Sequence, residues 1–210
     1  MIKPALQLPK TIRFPNEDEL PQNNASVLKR WEESKLANIV EGYTLTFKNN
    51  DDPENGALGF RFYAEINIDN PKLWNLMLAL SKTLPDEVAF LFGYIDADLN
   101  YGNYEDKDCV LDFISQYQYE LAEDPFINFG LIYNDEETLI EIFVDESKYI
   151  KYWGVDEEWF REIMEEFELK EVKGLGFVDE YPKIREALTV LDEKALDSKE
   201  LIELFAQKYL

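Results

Sequence analysis

Two stretches of this chain carry the same punctuation. Glu65-Ile66-Asn67-Ile68-Asp69 runs into a helical pattern around Trp74 and ends at Gly93-Tyr94-Ile95-Asp96. Glu141-Ile142-Phe143-Val144-Asp145 runs toward a helical pattern around Trp159 and ends at Gly176-Phe177-Val178-Asp179. Each reads strand, helix, strand, because strand-forming residues come first and apolar residues then recur at helical spacing. A chain patterned this way is confined to sheets joined by helical crossovers. The step from Asp145 to Trp159 is longer than that from Asp69 to Trp74, so the second copy holds an insertion at roughly 147–155. An internal duplication and a chance likeness of two units built from the same elements both satisfy this pattern.

Between these anchors the elements follow from local chemistry. Pro4, Pro9, Pro15 and Pro21 restrict the first 24 residues to an arm or one short extended segment. Asn24 or Ser26 caps a helix with Val27, Leu28, Trp31 and Leu36 on one face. Tyr43–Phe47 and 59–69 form a hairpin about the turn material of 49–56, with Phe60, Phe62, Ala64, Ile66 and Ile68 facing one way. Pro71 opens a helix apolar on most sides, and Val88–Ile95 reads as a strand covered on both faces. Residues 96–108 read as a polar loop, followed by a helix over 107–123 capped by Asp106 or Asp108. A second hairpin spans 126–145, Asp156 opens a helix, and residues 170–178 read as a strand. Asp197-Ser198-Lys199-Glu200 has capping-box spacing before the last helix.

The expected architecture is a single α+β domain over residues 1–210, with halves at 38–96 and 126–179 and C-terminal helices over 181–210. Its sheet is mixed but largely antiparallel, with about six or seven strands, helices on at least one face and a C-terminal helical pair.

Net charge narrows function. The 210 residues carry 44 Asp and Glu against 21 Lys and Arg, a net charge of −23, and residues 1–36 are close to neutral. Such a surface repels nucleic acid and anionic membranes and attracts basic partners. With 46% hydrophobic and 14% aromatic residues the chain still has material for a core, which disordered acidic chains lack. The absence of His removes Ser-His-Asp and Cys-His hydrolases and His-ligated metals, and a lone Cys109 removes an internal disulfide and multi-cysteine zinc sites. No nucleotide-binding or nucleophile-elbow glycine motif is present, so no cofactor and no catalytic residue are assigned. No secretory signal and no membrane span are read, and the expected location is the cytoplasm.

Two stretches stand out as contact surfaces. In Asp96-to-Asp108, Tyr101 and Tyr104 sit among Asp96, Asp98, Glu105 and Asp106. The Asp96-x-Asp98-x-Asn100 spacing matches the start of a calcium loop, but Tyr101 and Lys107 stand where that loop needs Gly and Glu, so no metal site is assigned. Tyrosine anchors among carboxylates suit a basic protein surface. The insertion supplies the second stretch, with Tyr149, Tyr152 and Trp153 beside Lys148 and Lys151. Its alternative is a turn whose aromatics cover the edge of the core.

In these respects the chain resembles the immunity proteins of bacterial toxin systems, which are often small, acidic, cytoplasmic α+β proteins without catalytic motifs. The likeness is one of class character over the whole chain, so no family residue is carried over. It implies a non-enzymatic binding protein that neutralises a basic toxin domain. The alternatives are an interaction module without a toxin, and an enzyme using carboxylates or a divalent cation.

Overall fold

The computed structural model describes residues 5–49 and 58–210. From residue 50 onward, the turn expected at 49–56 lies outside them. The elements are β1 (Ile12–Arg13), α1 (Ala25–Ser34), β2 (Gly42–Phe47), β3 (Phe62–Asn67), α2 (Asn70–Ser81), β4 (Glu87–Tyr94), β5 (Asn100–Asp106), α3 (Lys107–Ile114), α4 (Gln118–Glu123), β6 (Ile127–Asn134), β7 (Leu139–Val144), β8 (Ile150–Gly154), α5 (Glu157–Glu166), β9 (Ile184–Arg185), α6 (Leu188–Leu191) and α7 (Ser198–Tyr209).

Seven strands form one sheet in the order β2-β3-β8-β7-β6-β4-β5, and every pairing between them is antiparallel. The only parallel contact among the described residues is an isolated bridge from Tyr43 to Glu171. Alternating directions make β3 and β4 parallel to each other, so α2 is a true crossover, and it spans the three intervening strands β8, β7 and β6. The first strand-helix-strand reading therefore holds.

The second does not. Residues 150–154 of the supposed insertion are β8, which sits inside the sheet between β3 and β7. Residues 170–178 form no strand; the chain there makes the Tyr43–Glu171 bridge and then a 3-10 turn at Val178–Glu180. The second half runs hairpin, strand, helix, whereas the first runs hairpin, helix, strand. Asp96 and Asp179 are accordingly not equivalent: Asp96 sits in a turn with φ of 59°, and Asp179 in the 3-10 turn. The reason is physical. Ile150, Tyr152 and Gly154 alternate with Lys151 and Trp153, a period-two pattern that an edge-covering turn does not need.

Helices cover one face. Phe62, Ala64, Ile66, Val88, Phe90, Phe92, Phe129, Leu131, Ile142, Val144, Ile150 and Tyr152 project from the sheet into a core completed by α2, α3, α4, α5 and α7. Phe90 and Phe92 meet Phe205 of α7, and Phe62 and Tyr152 meet Phe160 of α5. The expected caps form: Asn24, Asp106, Asp156 and Asp197 each accept a backbone N–H at the start of their helices. Leu36, expected on the buried face of α1, lies beyond its end and is exposed. The N-terminal arm docks on the domain. Leu6, Ile12 and Phe14 pack with Ile39 and Val178, and β1 pairs with β9. No helix among the described residues is long and apolar enough to cross a membrane.

Candidate functional site

Side chains on successive strand residues point to opposite faces, so the sheet has a second face that the helices leave uncovered, although its Ala89, Leu91, Ile132 and Leu139 are themselves buried. Reading the register across the strands gives two rows on it. One runs Thr46, Tyr63, Trp153, Glu141, Ile132, Ala89 and Tyr104. The other runs Thr44, Glu65, Lys151, Phe143, Gly130, Leu91 and Tyr101. Ala89, Leu91, Ile132 and Leu139 form the floor, with Phe60 packed on it. Phe60 thus leaves the company of Phe62 and Ile66, because it precedes β3 and lies over the opposite face.

At one end of this face stands β5. Residues 100–106 are not a loop: they pair with β4 as the last strand of the sheet, and only residues 95–99 turn. A bulge offsets the ladder between Ala89 and Leu91, with Gly102 and Asn103 on β5 opposite Phe90 alone. It lets Tyr101 and Tyr104 emerge on the same face, 61% and 47% exposed. The Tyr104 hydroxyl accepts from the Asn134 N–H at 2.8 Å, and its ring stands edge-on to Tyr133. Asp96 and Asp98 are exposed in the preceding turn. Glu105 pairs with Lys208 at 3.2 Å, and Asp106 accepts the Cys109 N–H at 3.0 Å, which holds its carboxyl below the usual range.

The insertion residues separate. Tyr149 and Tyr152 are 4% and 1% exposed, so both are withdrawn from any contact surface. Tyr152 donates to Thr83 Oγ1 at 2.9 Å inside the helical core, and Tyr149 donates to Asp179 Oδ2 at 3.0 Å. Tyr152 is buried because strand alternation turns it toward the helices, and Tyr149, just before β8, because Leu175 and Phe177 pack on it. Trp153 alone reaches the open face, where its ring lies 4.7 Å from that of Tyr63. A cavity of about 440 Å³ opens there, lined in part by Phe47, Phe60, Tyr63 and Trp153. Trp153 and Tyr104 share a row but stand four strand spacings apart, about 19 Å.

Titratable groups missed in the sequence lie on this face and at its margin. Glu141 sits in the row between Trp153 and Ile132, and no described residue bonds to its carboxyl; burial alone pushes it up to about 7. Glu65 is raised by burial, and burial followed by the nearby Glu65 lifts Tyr63 above the normal phenol range. Lys151 pairs with Asp145 at 2.9 Å, and Arg185 with Glu146 at 3.0 Å. Lys148, in the turn between β7 and β8 with φ of 61°, is buried and donates to the Ile127 carbonyl at 2.9 Å. Desolvation lowers its amine to about 8. The period-two alternation around Glu141 and Glu65 was the available sequence signal for their shared face.

Glu141 has no second carboxylate opposite it in its row, and no group of three or more Asp, Glu, Cys or His side chains among the described residues could hold a metal ion. Cys109 is exposed, and its thiol is raised by Asp106, the reverse of an activated nucleophile. No family model, curated protein or solved structure matches the chain.

Proposed function

We propose that this is an acidic binding protein that captures a basic protein partner, with the β5 end of the uncovered sheet face as its main contact surface. The observation that carries this reading is the exposure of Tyr101 and Tyr104 on a terminal strand bordered by Asp96, Asp98, Glu105 and Asp106, in a chain of net charge −23. Exposed tyrosines supply contact area at low entropic cost, and surrounding carboxylates accelerate encounter with a cationic surface. Among the described residues no Lys or Arg forms an ion pair with Asp96 or Asp98, so their charge is available to a partner. Trp153 and Tyr63 offer a second, separate contact about four strands away.

A basic toxin domain neutralised in the bacterial cytoplasm is the partner class this reading favours, as for immunity proteins. Nucleases of that kind are cationic because they bind phosphates. An interaction module with another basic partner uses the same surface.

The test is capture from lysate of the source cell at low and high salt, with wild type and the Asp98→Lys/Glu105→Lys double variant. The reading expects a basic protein that is retained at low salt, released at high salt and lost from the double variant. Retention of the same protein by both chains, or capture of acidic proteins only, overturns it.

A further inference from the structure

The two ends of the sheet are not alike. At β2 the outer edge is occupied: Tyr43 N–H donates to the Lys170 carbonyl at 3.0 Å, and Val172 N–H donates to the Tyr43 carbonyl at 2.8 Å. At β5 nothing comparable is present among the described residues. No described residue outside β4 makes a backbone–backbone hydrogen bond to Asn100–Glu105, and the chain leaves at Lys107 directly into α3. The C-terminal end of α7 lies beside β5, where Asn103 Nδ2 donates to the Tyr209 carbonyl. A free strand edge carries a row of unpaired amides and carbonyls and readily templates another strand.

Two features restrict what can pair there. The first is charge. A second copy of this chain brings another −23 and the same acidic border, which opposes edge-to-edge dimerisation. A cationic strand meets Asp96, Asp98, Glu105, Asp106 and Asp108 instead. The second is the side-chain pattern. Tyr101 and Tyr104 stand on the uncovered face beside the edge, so alternate residues of an added strand run past both rings. Lys or Arg at those positions gains ring contact as well as charge pairing.

We propose that β5 is an acceptor edge for β-strand addition, and that its occupant is an extended, Lys- or Arg-bearing segment of the partner. This rests on the basic-partner reading above and adds its mode. The partner extends the sheet to eight strands, with backbone hydrogen bonds giving affinity and alternate cationic side chains giving selectivity.

Two probe peptides test it. One is a capped octapeptide of alternating Lys and Val; the other has the same sequence N-methylated at every residue, which keeps the charge and removes the donors. Affinities are measured by titration at low salt, and amide hydrogen exchange of the full chain is read with and without each peptide. Strand addition predicts that N-methylation weakens binding about ten- to a hundredfold. It also predicts that the first peptide slows exchange within residues 100–105. Equal affinities, or protection confined to other segments, overturn strand addition while leaving attraction to basic partners standing. If neither peptide binds at low salt, strand addition and the basic-partner reading fall together.

Discussion

Glu141 offers a sharp quantitative test of the uncovered face. Its carboxyl lies in a row between Trp153 and Ile132, without an ion pair among the described residues, and burial raises it from 4.5 to about 7. Between those two values the unfolded carboxyl is ionised while the native one still holds its proton. The native state then binds more protons, so stability falls as pH rises through this window. A shift of that size costs the native state about 3 kcal/mol once both forms are ionised. Residual solvent contact reduces this to about 2 kcal/mol. Glu141→Gln keeps the shape and removes the charge. Urea unfolding of both chains from pH 4 to pH 8, compared through midpoints at a common slope, isolates the effect. The variant should match wild type near pH 4 and exceed it by about 2 kcal/mol at pH 8. A difference that stays constant over this range would refute the assignment of Glu141 to an apolar, unpaired setting.

Lys148 gives the complementary case for a base. Its amine is lowered from 10.5 to about 8, so the cost of burying the ammonium is present below pH 8 and is relieved as pH rises toward 10.5. Lys148→Met should therefore be more stable than wild type at pH 7 by about 1–2 kcal/mol, after allowing for the hydrogen bond lost at Ile127, with the gap closing by pH 10. Thermal and urea unfolding at the two pH values check this. Tyr152→Ala should cost about 3–5 kcal/mol, as expected for emptying a fully buried aromatic site. Tyr101→Ala should cost less than about 0.5 kcal/mol and weaken partner binding, which separates the core role of one tyrosine from the surface role of the other.

The sequence made the helical core legible where apolar patterns were long. The apolar run 88–95, buried from Val88 to Gly93, the two-sided apolar helix α2 and the four polar caps all follow from spacing and side-chain chemistry. The period-two signal was short in the two strands that the reading missed. Asn100–Asp106 has no aliphatic side chain, so its strand character comes from pairing with β4 and not from local preference. Ile150–Gly154 is five residues long, and its place between β3 and β7 depends on partners distant in sequence. Register then decided the site. Once 150–154 is an interior strand, Tyr152 must face the helices and Trp153 the uncovered side. Tyr101 and Tyr104 are exposed, while Tyr149 and Tyr152 are buried.

Association kinetics test the central claim most directly. With the captured partner in hand, its association rate constant is measured against ionic strength for wild type and for Asp98→Lys/Glu105→Lys. Electrostatic capture at the β5 end predicts a wild-type rate that falls at least about tenfold from low to high salt. The double variant should associate more slowly at low salt and converge with wild type at high salt, with unchanged unfolding midpoints. A rate that is independent of salt, or equal in the two chains at low salt, would contradict the account.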